Sequence, residues 1–241
     1  MGVQSSFGFT LGRMEKGKLN KITDVPGVRV GHVTRHEGGI NTGVTAILPH
    51  TGDMFHDKCP AASHVINGFG KSIGLVQVNE LGTIETPLLL TNTLSVGTAA
   101  TTLVKYMLER NADIGCDTGT VNPMVFECND GHLNDIRGLH VTEQNALDAL
   151  ANAADDFEEG AVGAGSGMSC YSLKGGIGSA SRVFELYGNK YTVGALLLTN
   201  FGTLRDLTIG GERVGERLYQ KKEAEKAAAE QQDKGSVIII I

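Results

Sequence analysis

Residues 22–33 read ITDVPGVRVGHV: a Pro-Gly turn, then Val28 and Val30 alternating with polar partners. That period of two predicts a strand with one buried face. Residues 43–49, GVTAILP, form a short apolar run between breakers and predict a second, more buried strand. Residues 50–57 read as a loop, and residues 72–80 (SIGLVQVNE) and 87–90 predict two further strands. Thr93 or Ser95 can cap a helix running to Asn111, with Val96, Leu103, Val104, Met107 and Leu108 on its apolar stripe.

Residues 120–127 (TVNPMVFE) predict another strand, followed by the turn-rich CNDGHLND. Thr142 is positioned to cap a helix over residues 143–157, with Ala146, Leu147, Leu150 and Ala153 at helical spacing. A glycine-dense segment over 160–178 precedes the strongly apolar strand YTVGALLLT, which ends at Asn200-Phe201-Gly202. Residues 212–234 are charged and alanine-rich, a solvated helix that becomes linker-like near its end because no apolar face anchors it. The chain then reads Gly235-Ser236-Val237 and four isoleucines. Such a run predicts the first strand of a buried sheet, with further polypeptide expected to complete the fold.

Length and composition bound the function. The chain has 241 residues, 41% hydrophobic and 20% charged, which suits a single folded domain with a real core. A net charge of −6 argues against a nucleic-acid binder. No segment approaches the ~20 apolar residues of a membrane helix, and the first residues lack the apolar stretch of a signal peptide. A cytoplasmic protein without membrane partners is expected. The Met-Gly start with Ser6 matches a myristoylation pattern only weakly. Cys59, Cys116, Cys128 and Cys170 are widely spaced, as buried apolar thiols in a reducing compartment would be.

Most familiar catalytic patterns are missing. Ser166 and Ser169 lack the flanking glycines of a nucleophile elbow. Lys174 precedes glycine rather than Ser or Thr, so there is no phosphate loop. Gly163, Gly165 and Gly167 do not make a dinucleotide fingerprint and suit a packed turn or a substrate-framing loop. His32 and His36 sit in or just after a strand and have no ligand spacing. His50, Asp53, His56 and Asp57 are read as loop polarity, with no metal and no cofactor expected.

The Gly235-Ser236 junction differs. A serine hydroxyl is a weak nucleophile until a base takes its proton. Cutting the bond before Ser236 would free an α-amine beside that hydroxyl, with a reference pKa of roughly 7.7–8.0, able to serve as base at neutral pH. Gly235 gives the backbone freedom to bend as the hydroxyl attacks the preceding carbonyl. The alternative is an ordinary turn into a strand.

ITDVPGVRVGHVT, CNDGHLNDI, GAVGAGSGM followed by KGGIGSASR, VGALLLTNFG and GSVIIII occur in this order. Together, over nearly the whole chain, they resemble the L-aminopeptidase/D-amino-acid esterase and β-peptidyl aminopeptidase family, the DmpA-like or S58 peptidases. The resemblance implies an α/β fold, an αββα sandwich similar to the N-terminal-nucleophile hydrolases. It also implies self-cleavage between Gly235 and Ser236. Residues 1–235 would then be the large subunit and 236–241 the start of a small one whose remainder is absent. The partners implied are that small subunit, further copies in a homo-oligomer, and a peptide, amide or ester substrate with a free N-terminal amine.

By the same resemblance Ser236 is the nucleophile and Asn200 the oxyanion donor, a role a fixed N–H at a strand end can fill. Glu127 would bind the substrate amine, an ammonium that internal residues lack. Taken alone, Asn200 could be a turn residue and Glu127 a solvated or salt-bridged carboxylate. Asn129 falls where relatives often carry a tyrosine that helps the oxyanion, and its shorter side chain departs from that pattern. Two other functions stay open: a self-cleaving acyltransferase of the ornithine acetyltransferase type, whose nucleophile is threonine, and an uncut scaffold without catalysis.

Overall fold

The alternating segments pair into two β-sheets that face each other across one apolar layer. A computed structural model describes residues 12–223 and 235–241. In chain order the strands are β1 (Arg29–Glu37), β2 (Ile40–Leu48), β3 (Cys59–Pro60), β4 (Thr83–Ile84), β5 (Leu88–Asn92), β6 (Met124–Cys128), β7 (Ser169–Cys170), β8 (Leu173–Lys174), β9 (Gly176–Leu186), β10 (Asn189–Asn200) and β11 (Ser236–Ile240). The α-helices are α1 (Leu75–Leu81), α2 (Val96–Leu108), α3 (Glu143–Ala151) and α4 (Val214–Glu223).

One sheet has the order β1-β2-β5-β6, the other β11-β10-β9, with two short ladders, β3-β4 and β7-β8, beside them. The β5–β6 pair is parallel, so the chain between them must cross back, and α2 lies in that crossover. Alternation assigns the faces. Val44 and Ala46 of β2, Leu89 of β5 and Val125 of β6 pack against α2 and α3. Ile47, Leu88, Leu90, Met124 and Cys128 face Ile177, Leu196 and Leu198 of the other sheet, with Ile238 and Ile240 packed on them. Helices, sheet and sheet make three of the four expected layers. On the outward face of the second sheet, among the described residues, Val193 is 44% and Ile239 51% exposed.

Three expectations need correction. Residues 75–80 of the expected 72–80 strand lie in the helix α1, and only Ile73 pairs, in a single bridge with Val125. Gly74 and Gly82 sit at φ 102° and 65°, left-handed geometry that turns the chain out of strand direction at both ends. The Val76/Val78 alternation was too short to separate the two periods, and only Val78 is buried. Helix α2 stops at Leu108 rather than Asn111, whose own amide bonds back to the Met107 carbonyl. Thr142 does form a capping box with Asn145, but α3 ends at Ala151. Beyond it Asn152 donates to the His32 carbonyl, Ala154 bridges Val30, and Phe157 joins the core. The end of the expected linker and the Met1–Ser6 pattern lie outside the described residues.

His32 ties β1 to the glycine-dense segment. Its Nε2 bonds the Glu158 carbonyl, which can only accept, so Nδ1 must accept from Thr45, whose oxygen in turn takes the Ala164 N–H. Burial, helped by the Lys21 charge, lowers the His32 pKa to about 4. A histidine depressed on folding leaves stability intact above its unfolded value near 6.5 and removes it as pH falls from there towards 4. The loss expected over that window is about 3 kcal/mol. Urea denaturation of the full-length protein across the window should show that slope, and His32→Gln should flatten it.

Candidate active site

Strand pairing brings Ser236 to Asn200. The β10–β11 register sets Leu198 against Ile238, Thr199 against Val237 and Asn200 against Ser236. Leu196, Leu198, Ile238 and Ile240 point between the sheets, so by the pleat Asn200 and Ser236 share that inward face. The site thus begins where the apolar layer ends. Gly235 lies hard against the same strand end: a Cβ built there would sit 2.3 Å from Phe201 Cα and 2.9 Å from the Asn200 carbonyl oxygen. No larger residue fits without backbone movement.

Asn200 is fixed in orientation. Its Oδ1 accepts from the Ser169 N–H at 3.0 Å and its Nδ2 donates to the Asn129 carbonyl at 2.7 Å. A backbone N–H only donates and a carbonyl only accepts, so the amide cannot be flipped. One Nδ2 proton remains for a third partner. The β7–β8 hairpin that supplies the Ser169 N–H is clasped by Lys174, whose ammonium donates to the carbonyls of Gly165, Met168 and Gly175 at 2.8–3.0 Å. Burial lowers the Lys174 pKa from its ordinary value.

Glu127 sits at the end of β6 with 4% exposure, on the face that looks to the helices. Its Oε1 accepts from the Lys71 N–H at 3.1 Å and its Oε2 from the Thr93 hydroxyl. Among the described residues no lysine, arginine or histidine forms an ion pair with it. The carboxylate is held by two neutral donors beside the positive end of α2, and each oxygen keeps a free lone pair.

Asn129 meets Asn200, but through its carbonyl. Its exposed side chain accepts the Gly131 N–H at 2.8 Å in a tight turn, leaving the amide nitrogen as the group able to donate. The next residue, Asp130, is fully buried and takes the Thr42 hydroxyl at 2.6 Å, while Thr42 accepts from Asn92 at 2.9 Å. Burial raises the Asp130 pKa despite those bonds. Gly167 is packed on this group, a Cβ there falling 2.8 Å from the Asp130 Cβ, so the glycine-dense segment serves as a packed turn.

Sequence reasoning missed two groups. Of the two expected caps, Ser95 stands at the N-cap position of α2 but makes no side-chain cap bond; Asn92 caps the 3₁₀ turn Thr93–Ser95 before it, accepting from Leu94 and Ser95, and the Thr93 hydroxyl turns to Glu127. The Asn-Thr-x-Ser string resembles any cap, so nothing marked the threonine. Ser169 acts through its backbone, which no side-chain pattern encodes. Elsewhere, His56 lies 3.4 Å from Asp113 and 3.9 Å from Asp53, whereas His50 bonds the Asp57 carbonyl. Among the described residues no three metal-ligating side chains converge. The four cysteines are free, but of the four expected to be buried only Cys128 is; Cys59 and Cys170 are half-buried and Cys116 is exposed. No described helix is long and apolar enough to cross a membrane.

The β-peptidyl aminopeptidase BapA of Sphingosinicella microcystinivorans is 41% identical over 215 residues, 85% of this chain and 53% of that protein. A Pyrococcus horikoshii protein of known structure superposes with a TM-score of 0.88 at 56% identity, covering 91% of this chain and 64% of its own. The L-aminopeptidase D-Ala-esterase/amidase of Ochrobactrum anthropi, described as a prototype serine aminopeptidase and a new variant of the Ntn hydrolase fold, gives 0.82 at 35% identity, with coverages of 95% and 64%. The chain therefore spans between about half and two thirds of the length of these relatives. Residues 20–241 match the profile of Peptidase family S58, and it is to this family that the chain belongs.

Proposed function

We propose that the full-length protein is a self-processing serine aminopeptidase, amidase or esterase that releases N-terminal residues from short peptides or their analogues. The observation that carries this reading is the register pairing of Ser236 with an orientation-locked Asn200. In processing, the Ser236 hydroxyl attacks the Gly235 carbonyl carbon and the Gly235–Ser236 C–N bond breaks. That step frees the Ser236 α-amine, which takes up the hydroxyl proton, and leaves Gly235 as an ester on the serine oxygen; water then hydrolyses the ester, restoring the hydroxyl and releasing the Gly235 carboxylate. In turnover that amine takes the hydroxyl proton as the oxygen attacks the substrate carbonyl. The oxyanion formed is met by the free Nδ2 proton of Asn200, with the Asn129 amide as a second donor. Collapse expels the leaving group with the proton, and water clears the acyl-serine.

The division into a large subunit over residues 1–235 and a small one starting at Ser236 belongs to the same reading, as do a homo-oligomer of such αβ units and a cytoplasmic location. N-terminal sequencing of the purified full-length protein tests it: a second sequence beginning Ser-Val-Ile-Ile is expected, and a single intact chain would overturn it. Serine in place of threonine and membership of a peptidase family leave the acyltransferase alternative without support.

Glu127 supplies the specificity. A buried carboxylate with no counter-ion among the described residues is an incomplete ion pair, and a substrate ammonium would complete it. Such a charge-assisted bond contributes roughly 1.5–3 kcal/mol. Glu127→Gln should therefore lower kcat/KM on aminoacyl p-nitroanilides by about 10- to 150-fold. Processing, which involves no substrate amine, should continue. Retention of the preference for unblocked over N-acetylated anilide would show that the amine is recognised elsewhere.

A further inference from the structure

We infer that Thr93 is a positioning residue for substrate recognition, aiming the Glu127 carboxylate at the incoming ammonium; the inference rests on the reading of Glu127 given above. Thr93 is itself rigidly placed. Asn92, 1% exposed at the end of β5, accepts from the N–H groups of Leu94 and Ser95 at 3.1 and 3.0 Å and donates to Thr42 at 2.9 Å. Both ends of that amide are held, and the turn it caps projects the next side chain towards β6. The parallel β5–β6 register adds to this by setting Thr91 beside Glu127 and Asn92 beside Cys128.

The Thr93 hydroxyl then donates to Oε2 while the Lys71 N–H takes Oε1. A carboxylate on a strand end is free to rotate about its last bond. Two donors on different oxygens, one from the capped turn and one from the loop before α1, stop that rotation and leave one lone pair on each oxygen for the ammonium. Lys71 contributes through its backbone, so Thr93 is the only side chain among the described residues that bonds the carboxylate. Misaiming by a fraction of an ångström weakens a charge-assisted bond, because its strength depends on alignment.

The test is a double-mutant cycle in the full-length protein. Thr93→Val, which keeps shape and branching but removes the hydroxyl, should lower kcat/KM for an aminoacyl anilide by about 5- to 20-fold, mainly in KM. Thr93→Ala serves as a second hydroxyl-free variant should valine fold poorly. Thr93→Ser should restore most of the loss. On the α-hydroxyacyl anilide, which carries no ammonium, parent and Thr93→Val should be equally slow. In a Glu127→Gln background Thr93→Val should change kcat/KM by less than about 2-fold, since coupled residues are not additive. An equal loss in both backgrounds, or no rescue by serine, would overturn the inference while leaving Glu127 as the amine receptor. If Glu127→Gln alone keeps the preference for unblocked substrates, the receptor reading fails and the inference falls with it.

Discussion

Ser236→Ala in the full-length protein should run as one uncut band on a denaturing gel and lose activity by about 10⁴-fold or more, the scale seen when a serine hydrolase loses its nucleophile. Both losses have one cause. In the proposed mechanism the hydroxyl that attacks the Gly235 carbonyl during processing is the one that attacks substrate afterwards, and without processing there would be no α-amine to act as base. Ser236→Cys offers the complementary measurement, because a thiol is a stronger nucleophile and should permit some cleavage at the same bond. Cleavage between Gly235 and residue 236 in the alanine variant would mean that the attacking group lies elsewhere. Since Gly235 is packed against Phe201 and Asn200, the geometry around the scissile bond should be little altered by this exchange.

Asn200→Ala should slow processing and turnover together, each by about 10²- to 10³-fold, the usual effect of removing one oxyanion donor. The parallel loss follows from the register: Asn200 is paired with Ser236, the residue proposed to attack in both reactions. The alanine variant also releases the Ser169 N–H and the Asn129 carbonyl, so some of the loss is positional. Asn200→Asp separates the two effects. It still accepts from Ser169, yet it sets an acceptor against the Asn129 carbonyl and has no proton for the oxyanion. Single-turnover rates and melting temperatures on all three proteins distinguish the contributions. A variant that processes normally but turns over slowly would mean that the two reactions use different oxyanion donors.

These expectations contrast with the one for Glu127, whose loss should touch turnover alone. The difference is spatial as well as chemical. Asn200 belongs to the second sheet and faces the gap between sheets, whereas Glu127 belongs to the first and looks to its helices. They meet only because β6 and β10 end together, with the Asn129 carbonyl two residues from Glu127 and bonded to Asn200. A substrate fixed by its amine at Glu127 and by its carbonyl at Asn200 would bridge the two sheets.

What the sequence alone determined was mostly local. Alternation located β1 and short apolar runs located β2, β10 and β11, because burial of one face or of both is written directly into side-chain polarity. Thr142 signalled the start of α3 because a capping box is formed within four residues. The ordered blocks identified the family that the profile match then established. Segments whose state depends on distant partners were not legible. Residues 75–81 became a helix because a side chain at Gly74 would strike Met124 and the Pro123 carbonyl, neither of which is near in sequence. The length of α3 was set by β1, which captures Asn152 and Ala154 from the helix end.

The same division holds at the candidate site. Ser236, Asn200, Glu127 and Asn129 could be named from sequence, yet their relations could not, since 36 residues separate Asn200 from Ser236 and 73 separate Glu127 from Asn200. Only antiparallel pairing of β10 with β11 sets serine opposite asparagine, and a slip of β11 by one residue would turn Ser236 to the outward face, away from Asn200. Only the meeting of two sheets fixes which way the Asn200 amide points. Backbone groups carry that decision, through the Ser169 N–H and the Asn129 carbonyl, and every residue type has those. Thr93 was visible as a letter and as a helix-cap candidate. That its hydroxyl holds Glu127 follows from the 3₁₀ turn Thr93–Ser95 that Asn92 caps ahead of α2, with Asn92 itself fixed by its buried bond to Thr42 on a neighbouring strand.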